Sequence, residues 1–221
     1  MQNNTAFYTL EPAVDTEETG PVFPQVHMVD GYNFKAPDSV HHIRHNKFPD
    51  FTPDLRFRLR EEAKLTDMLS QAAVSGHGFL ISDGIRHVLE QFTLPPHRYF
   101  KATIDVNGIL HDNYFWVHFN WKDSPKFINF PKSQFFIRRF SKNLGPIAIS
   151  SIEDFWIKKQ ELGTMKLIDY SRITISSTSL DVITIPFKGD IFISTYLNQK
   201  LLESNISGIQ THATDKILIQ L

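Results

Sequence analysis

The chain has 221 residues, with 23 basic and 24 acidic side chains, a formal net charge of -1 and no cysteine. The lack of cysteine excludes disulfides, thiol nucleophiles and cysteine-ligated zinc. The balanced charge argues against a protein that coats duplex nucleic acid. No apolar run reaches the roughly 18 residues of a membrane span, and residues 1–20 lack the basic and apolar regions of a signal peptide. We therefore expect a cytoplasmic globular protein without a membrane partner.

The first 54 residues are predicted to be extended chain that wraps over a core. A short strand is expected at 7–10. The length fits a single domain of residues 1–221, in which 55–145 and 146–221 are candidate lobes. Long helices are excluded from the first segment by its many prolines and glycines, which are Pro12, Gly20, Pro21, Pro24, Gly31, Pro37, Pro49 and Pro53.

The next part of the chain contains two predicted strands and two predicted helices. Alternating apolar and basic side chains at 55–60 indicate a half-buried strand. A short helix is predicted at 66–73, with the threonine at its start as the N-cap. A compact apolar strand at 79–81 leads to Ser82, which is expected to cap a helix at 82–92 that ends before two prolines.

Asn107-Gly108 predicts the turn of a β-hairpin, because both positions tolerate a positive φ. The strand before the turn, at 100–104, alternates apolar and polar residues. The strand after it, at 114–121, has an apolar face and a second, more polar face. The second face carries Tyr114, Trp116, His118 and Asn120.

Capping and alternation predict the remaining elements in the same way. A helix is expected at 152–161. Strands are expected at 133–140, 165–176, 182–187 and 217–221, and the segment 191–204 again reads as strand, serine and helix.

Two segments thus share the order strand, serine cap and helix. Aligning Ser82 with Ser194 places Ile85 on Leu197 and Leu89 on Leu201, and a glycine precedes each strand. This correspondence suggests an internal duplication. The alternative is coincidence, because strand, cap and helix often follow one another. The predicted fold class is α+β, a mostly antiparallel sheet with three or four short helices.

Motifs for catalysis or metal binding are absent or weak. His41, His42 and His45 are the densest histidines, but they lie among prolines without a nearby carboxylate, and a solvated loop is the simpler interpretation. The chain contains no nucleophile elbow, dinucleotide-binding motif or P-loop. We therefore predict no catalytic residue, no metal and no other cofactor. A metal-dependent hydrolase or nuclease with an unrecognised site stays open as the alternative.

Residues 121–142 are rich in both basic and aromatic side chains. Such a stretch can stack the bases and hold the phosphates of single-stranded nucleic acid. It can equally contact an acidic protein surface. An alternating strand with buried Phe and exposed Lys or Arg explains the same pattern without a ligand, so a nucleic-acid partner is not our first expectation.

Several segments resemble, in their order along the chain, a family of immunity proteins from bacterial polymorphic and contact-dependent toxin systems, of the myxobacterial type with a strand–Ser–helix repeat. The resemblance extends from about residue 7 to about residue 210. It rests on the segments Phe7-Tyr8-Thr9-Leu10, Ala63-Lys64-Leu65-Thr66-Asp67-Met68-Leu69, Gly78-Phe79-Leu80-Ile81-Ser82, Val88-Leu89-Glu90-Gln91-Phe92, Leu94-Pro95-Pro96-His97-Arg98-Tyr99-Phe100 and Asn113-Tyr114-Phe115-Trp116. The resemblance implies a cytoplasmic, non-enzymatic α+β protein that binds and neutralises a cognate toxin, with no catalytic residues to transfer.

A toxin-binding face would present rigid aromatic side chains and arginines, which carry much of the energy at protein interfaces. Trp116 lies on the more polar face of its predicted strand, and Trp121 begins the basic stretch. We therefore expect Trp116, Trp121, Arg138 and Arg139 to contact the partner. The alternative is that Trp116 and Trp121 belong to the core, covered by a helix on this face of the sheet. A basic surround would also steer an acidic toxin toward this face. The sequence carries no feature that predicts an oligomeric state.

Overall fold

The computed structural model describes residues 7–176 and 178–220, which form an α+β fold with mostly antiparallel sheets. The predicted fold class is therefore confirmed. Three α-helices lie in this part of the chain: α1 (Asp83–Leu89), α2 (Ile152–Leu162) and α3 (Thr195–Glu203). Three 3-10 helices accompany them: Val40–His42, Trp121–Phe127 and Phe130–Lys132. The strands of the described residues are β1 (Phe7–Pro12), β2 (Val26–Met28), β3 (Arg56–Leu59), β4 (Met68–Leu69), β5 (Gly78–Ser82), β6 (His97–Val106), β7 (Ile109–Phe119), β8 (Gln134–Arg139), β9 (Lys142–Ile147), β10 (Leu167–Ser176), β11 (Val182–Thr184), β12 (Ile191–Ser194), β13 (Ile209–Thr214) and β14 (Ile217–Gln220).

These strands form three sheets. The first sheet has the order β2-β3-β6-β7-β5-β4, the second β11-β12-β1-β13 and the third β14-β10-β8-β9. β3 with β6 and β10 with β14 pair in parallel. β1 comes from the predicted N-terminal segment, yet it lies between β12 and β13 from the far end of the chain.

Three apolar clusters alternate with the sheets. The first cluster joins the N-terminal segment to the first sheet, through residues such as Val40 and Leu80. The second cluster joins the first sheet, α1 and α3 to the second sheet, through residues such as Ile81 and Ile193. The third joins the second sheet to α2 and the third sheet, through residues such as Phe192. Neighbouring residues of a strand point to opposite faces, so the first and second sheets are each buried on both faces.

The sheets do not follow the predicted lobes. The boundary between 145 and 146 falls inside β9, which pairs with β8 in the same sheet as β10. The chain instead passes from the first sheet toward the third after β7. β1, at the start of the N-terminal segment, lies in the second sheet and contributes residues to two clusters.

The repeated unit of the sequence is also repeated in the structure. β4 pairs antiparallel with β5, and β11 pairs antiparallel with β12. In the first unit Met68 is opposite Ile81, and in the second unit Val182 is opposite Ile193. Each second strand then runs directly into a helix, α1 or α3.

A pair of Asp and Ser residues joins the strands of each unit in the same way. The Ser82 backbone N–H donates to the Asp67 carbonyl (2.6 Å), and its Oγ donates to the Asp67 carboxylate (2.6 Å). Ser194 makes the same two bonds to Asp181, at 2.8 and 2.7 Å. Each serine Oγ also accepts a backbone N–H in the first turn of its helix. We call these two arrangements the Asp–Ser clasps.

Each clasp also holds the segment that follows the helix of the other unit. The second carboxylate oxygen of Asp67 accepts from Ser207 N–H (3.0 Å) and Oγ (2.6 Å), beyond α3. The second carboxylate oxygen of Asp181 accepts from Thr93 N–H (3.0 Å), beyond α1. This reciprocal arrangement supports the predicted internal duplication.

One predicted helix is wrong. Residues 66–73 contain β4 rather than a helix, because Met68 and Leu69 pair with β5 and are buried. Thr66 does not cap a helix; its Oγ1 donates to the Met68 carbonyl (2.7 Å). The turn at Asn107-Gly108 and the helices predicted at 82–92, 152–161 and 194–204 are present, with slightly different ends. Residue 221 of the last predicted strand lies outside the described residues.

Candidate partner-binding surface

Trp116 does not lie on the protein surface. Only 1% of its area is exposed, and its neighbours on the same face of β7, Tyr114 and His118, are also buried. The expectation that Trp116 is exposed is therefore wrong. β7 lies inside the first sheet, and the N-terminal segment covers the face that carries Trp116, with Val26, Val40 and Ile43 in the same cluster.

Trp121 lies beside Trp156, which is not among the predicted contact residues. It begins a 3-10 helix after β7 and is half-buried, with its ring centroid 6.5 Å from that of Trp156 on α2. Trp156 is 39% exposed, and the Lys159 Nζ lies 4.8 Å from its ring centroid. The signal in the sequence was local: Trp156 follows the buried Phe155 by one position and therefore leaves the packed face of the helix.

Arg138 is held by an acidic group beneath it. Its Nε lies 3.1 Å from Asp169 Oδ2, and the Asp169 side chain is only 10% exposed. Lys188 Nζ lies 3.5 Å from the other carboxylate oxygen. The adjacent Tyr170 hydroxyl donates to Asp190, and burial together with that carboxylate raises the pKa of Tyr170 above its ordinary value. Arg138 is thus a fixed cation at the surface.

Arg139 and Phe140 form the end of the β8–β9 hairpin. Arg139 is exposed, and its guanidinium carbon lies 5.8 Å from the Phe140 ring centroid. Arg139 pairs with Lys142, which leaves Phe140 and Ser141 as the loop. Phe140 has a left-handed backbone with φ of 52° and is 71% exposed, so the bulkiest loop residue points into water.

The third sheet has one face that no cluster of the described residues covers. Phe135 of β8 lies in the third cluster, whereas Phe136 points to the opposite face, which we call the outer face. Leu167 is opposite Arg138 on this outer face and is 45% exposed. Together with the end of the hairpin it forms a mixed apolar and basic area, the hairpin surface: Arg138, Arg139, Phe140, Lys142, Leu144 and Leu167.

The four predicted contact residues are therefore separated. Trp116 is in a core and Trp121 is beside α2, while Arg138 and Arg139 are consecutive on β8 and belong to the hairpin surface. The sequence pattern located the basic residues of that surface. It did not identify Phe140, because the predicted strand at 133–140 includes this residue and no strand was predicted at 142–147, so the two-residue loop was not visible.

The described residues contain no group of three or more His, Asp or Glu side chains arranged to hold a metal ion. His41 and His42 are exposed, and the His45 ring lies 4.8 Å from that of His77. None of the helices in the described ranges combines the length and apolar character that crossing a membrane requires. The chain matches no protein-family model and no curated protein.

Proposed function

We propose that this protein is a cytoplasmic immunity protein that binds a cognate bacterial toxin through the hairpin surface and thereby neutralises it. The observation that carries the proposal is Phe140. Its side chain is 71% exposed in a loop with a positive φ. The resemblance to toxin-immunity proteins agrees with a binding role.

Phe140 has a conformation that is unfavourable for folding alone. A left-handed backbone costs a non-glycine residue about 1–2 kcal/mol, and a hairpin loop of two residues normally places Asn, Asp or Gly at such a position. The exposed ring gains little from burial. Strained and exposed aromatic residues are concentrated at binding sites, so Phe140 supports a partner that buries it.

The partner is expected to bind side chains rather than to add a strand. β9 is an edge strand, and an unpaired edge can pair with another chain. Pro146 has no N–H to donate, however, and the Gly145 N–H already donates to the Asn143 side chain (2.9 Å). The free edge of β9 is therefore a poor template, and the exposed side chains of the hairpin surface provide the contact.

The test is protection of bacterial cells that express a candidate toxin domain, chosen from the variable C-terminal regions of large secreted bacterial proteins. Phe140→Asn removes the ring and supplies a residue that the loop prefers, so the free energy of unfolding should not fall. Affinity for the toxin should fall by about 2 kcal/mol or more, as for an interface hot spot, and protection should be lost.

The matched control is Leu110→Asn. Leu110 is 68% exposed on β7, next to the other hairpin turn, and should be dispensable for protection. Full protection by a folded Phe140→Asn variant would move the interface away from the hairpin. Absence of protection by the wild-type chain would reject the function.

One observation favours a second candidate, a binder of single-stranded nucleic acid. Trp121 and Trp156 present two neighbouring rings with Lys159 over one of them, and such groups can stack bases and attract phosphates. Fluorescence anisotropy of a labelled single-stranded DNA would show micromolar or tighter binding that weakens steeply with salt. Trp156→Ala would abolish that binding, whereas Phe140→Asn would not.

A further inference from the structure

A groove lies next to the hairpin surface, where β8 and β9 meet the start of α2. Its volume is about 820 Å3, and it is open to solvent. Phe136 and Pro146, which are opposite each other on β8 and β9, provide an apolar floor. Asn143 lines the end that adjoins Arg138, its partner across the two strands.

The hairpin that adjoins this end of the groove carries mostly positive charges. Arg139 and Lys142 are exposed and form no ion pair within the described residues. The carboxylate that lines the far end, Asp154, is already bound by Lys158 (2.9 Å) and by the Ser150 N–H (2.8 Å). A ligand that extends from the groove past Asn143 onto the hairpin therefore meets free cations there, whereas the carboxylate at the other end of the groove is already paired with Lys158.

Arg138 has N–H donors left with which to bind a further anion. Its Nε faces Asp169, and one Nη1 donor reaches the Phe140 carbonyl at 3.4 Å. A guanidinium has five N–H donors, so the remaining donors are available at the 37% of the side chain that is exposed. Because Asp169 and the hairpin fix the guanidinium, little side-chain entropy is lost when a partner binds.

We infer that the groove and the adjoining hairpin bind an acidic segment of the toxin, with a carboxylate on Arg138 and apolar side chains over Phe136 and Pro146. This inference rests on the proposed function and names the chemistry of the partner. Asp169 acts as a positioning residue for Arg138. Arg139 and Lys142 attract the segment and raise the association rate at low salt.

The test measures binding of an inactivated form of the toxin domain against which the chain protects cells, at several salt concentrations. The double variant Arg139→Glu, Lys142→Glu should weaken binding at least tenfold at low salt, mainly through slower association, and should flatten the salt dependence. The control is Lys35→Glu, Arg60→Glu, which changes the net charge equally at two exposed cations of the first 60 residues. It should change the affinity less than about twofold.

Arg138→Lys tests the carboxylate contact separately, because it keeps the positive charge but loses the forked donors. We expect roughly tenfold weaker binding at all salt concentrations, since the loss is in geometry and not in charge. Asp169→Asn alone should weaken binding in the same way. In a chain that already carries Arg138→Lys it should weaken binding little further, and a purely structural role of Asp169 would not produce this pattern.

Two results would overturn the inference while leaving the proposed function intact. The first is wild-type affinity of both the double variant and Arg138→Lys in a chain that protects cells. The second is a double variant that binds the toxin as tightly as the wild type but no longer sediments with phosphatidylglycerol vesicles, whereas the wild type sediments with these vesicles and not with phosphatidylcholine vesicles. That result would assign the basic residues to binding of a lipid surface. A wild-type chain that neither protects nor binds the toxin would instead reject the proposed function itself.

Discussion

Trp116 fills the cluster between the N-terminal segment and the first sheet, where it is among the largest fully buried side chains. Trp116→Ala should lower the free energy of unfolding by about 3–5 kcal/mol, because it removes buried area and leaves a cavity. Trp156→Ala, on the exposed side of α2, should cost less than about 1 kcal/mol. Denaturant unfolding of both variants measures the difference, and equal losses would contradict the assigned positions.

Three histidines from separate parts of the chain meet near the start of β5. The His45 and His77 rings are 4.8 Å apart, and His118 is fully buried on the neighbouring β7. His77 Nδ1 has no hydrogen-bond partner within the described residues. Burial lowers the pKa of His118, against the opposing effect of the nearby backbone of Lys47 and Arg44.

These histidines predict a loss of stability in acid. Burial, followed by His45 and His118, lowers the pKa of His77 from 6.5 to about 4. The folded state therefore favours the neutral ring, and the unfolded chain binds a proton first as the pH falls. The free energy of unfolding that depends on the neutral His77 ring is fully present above about pH 6.5. It is lost progressively toward pH 4, and the total loss is on the order of 3 kcal/mol.

Urea unfolding at several pH values between about 7 and 4.5 measures this loss. His77→Gln should flatten the dependence of stability on pH, even if it lowers stability at neutral pH. His212→Gln, an exposed residue of β13, should keep the wild-type dependence. An unchanged slope in His77→Gln would show that other groups control the response to acid.

At the scale of elements, the Asp–Ser clasps join each helix to two strands. Hydrogen bonds from Ser207 and Ser82 lower the pKa of Asp67, although its burial alone would raise it. Each serine is thus both an N-cap and a donor to a partly buried carboxylate. Loss of the hydroxyl removes one hydrogen bond from the helix and one from the carboxylate.

Ser82→Ala and Ser194→Ala should each lower the free energy of unfolding by about 2 kcal/mol, from one lost cap and one lost hydrogen bond to a charged group. Ser151→Ala provides the comparison, because Ser151 caps α2 through the Asp154 N–H (3.1 Å) but belongs to no clasp. It should cost about 1 kcal/mol. Thermal unfolding ranks the three variants, and similar losses in all of them would mean that the clasps add nothing to capping.

Elements whose determinants are local could be predicted from the sequence. The caps at Ser82, Ser151 and Ser194 act within three residues of the helix start, so their patterns are visible in a short window. The helix predicted at 66–73 is wrong because the structure of these residues depends on partners far along the chain. Met68 pairs with β5, and the backbone N–H of Asp67 donates to Ser207 Oγ (2.9 Å), which no local propensity reveals.

The candidate site was predictable only in part, for a reason that belongs to the whole molecule. Alternation along β7 showed that the strand has two different faces, but not that the N-terminal segment would cover the face with Trp116. Arg138 and Arg139 were identified by their charge. They lie at the surface because β8 belongs to the sheet with an uncovered face. Which face of a sheet is covered is decided by the stacking of layers, and that order is not encoded in any single segment.

The order of the layers depends on β1, which links two clusters from the middle of the second sheet. Phe7 is 2% exposed and lies in the third cluster, while Leu10 is 3% exposed and lies in the second. Phe7→Ala should lower the free energy of unfolding by about 3–5 kcal/mol and Leu10→Ala by about 2–5 kcal/mol. Val14→Ala, two residues beyond the strand and 39% exposed, should change it by less than about 0.5 kcal/mol.

The same strand should make unfolding cooperative across the layers. Because β1 pairs with both β12 and β13 and packs on two clusters, the third sheet cannot lose its contacts without disturbing the second. Guanidinium unfolding followed by far-UV circular dichroism and by tryptophan fluorescence should give coincident transitions in the wild type and in Leu10→Ala. Separate transitions in the wild type would show that the clusters fold as independent units, and that β1 does not couple them.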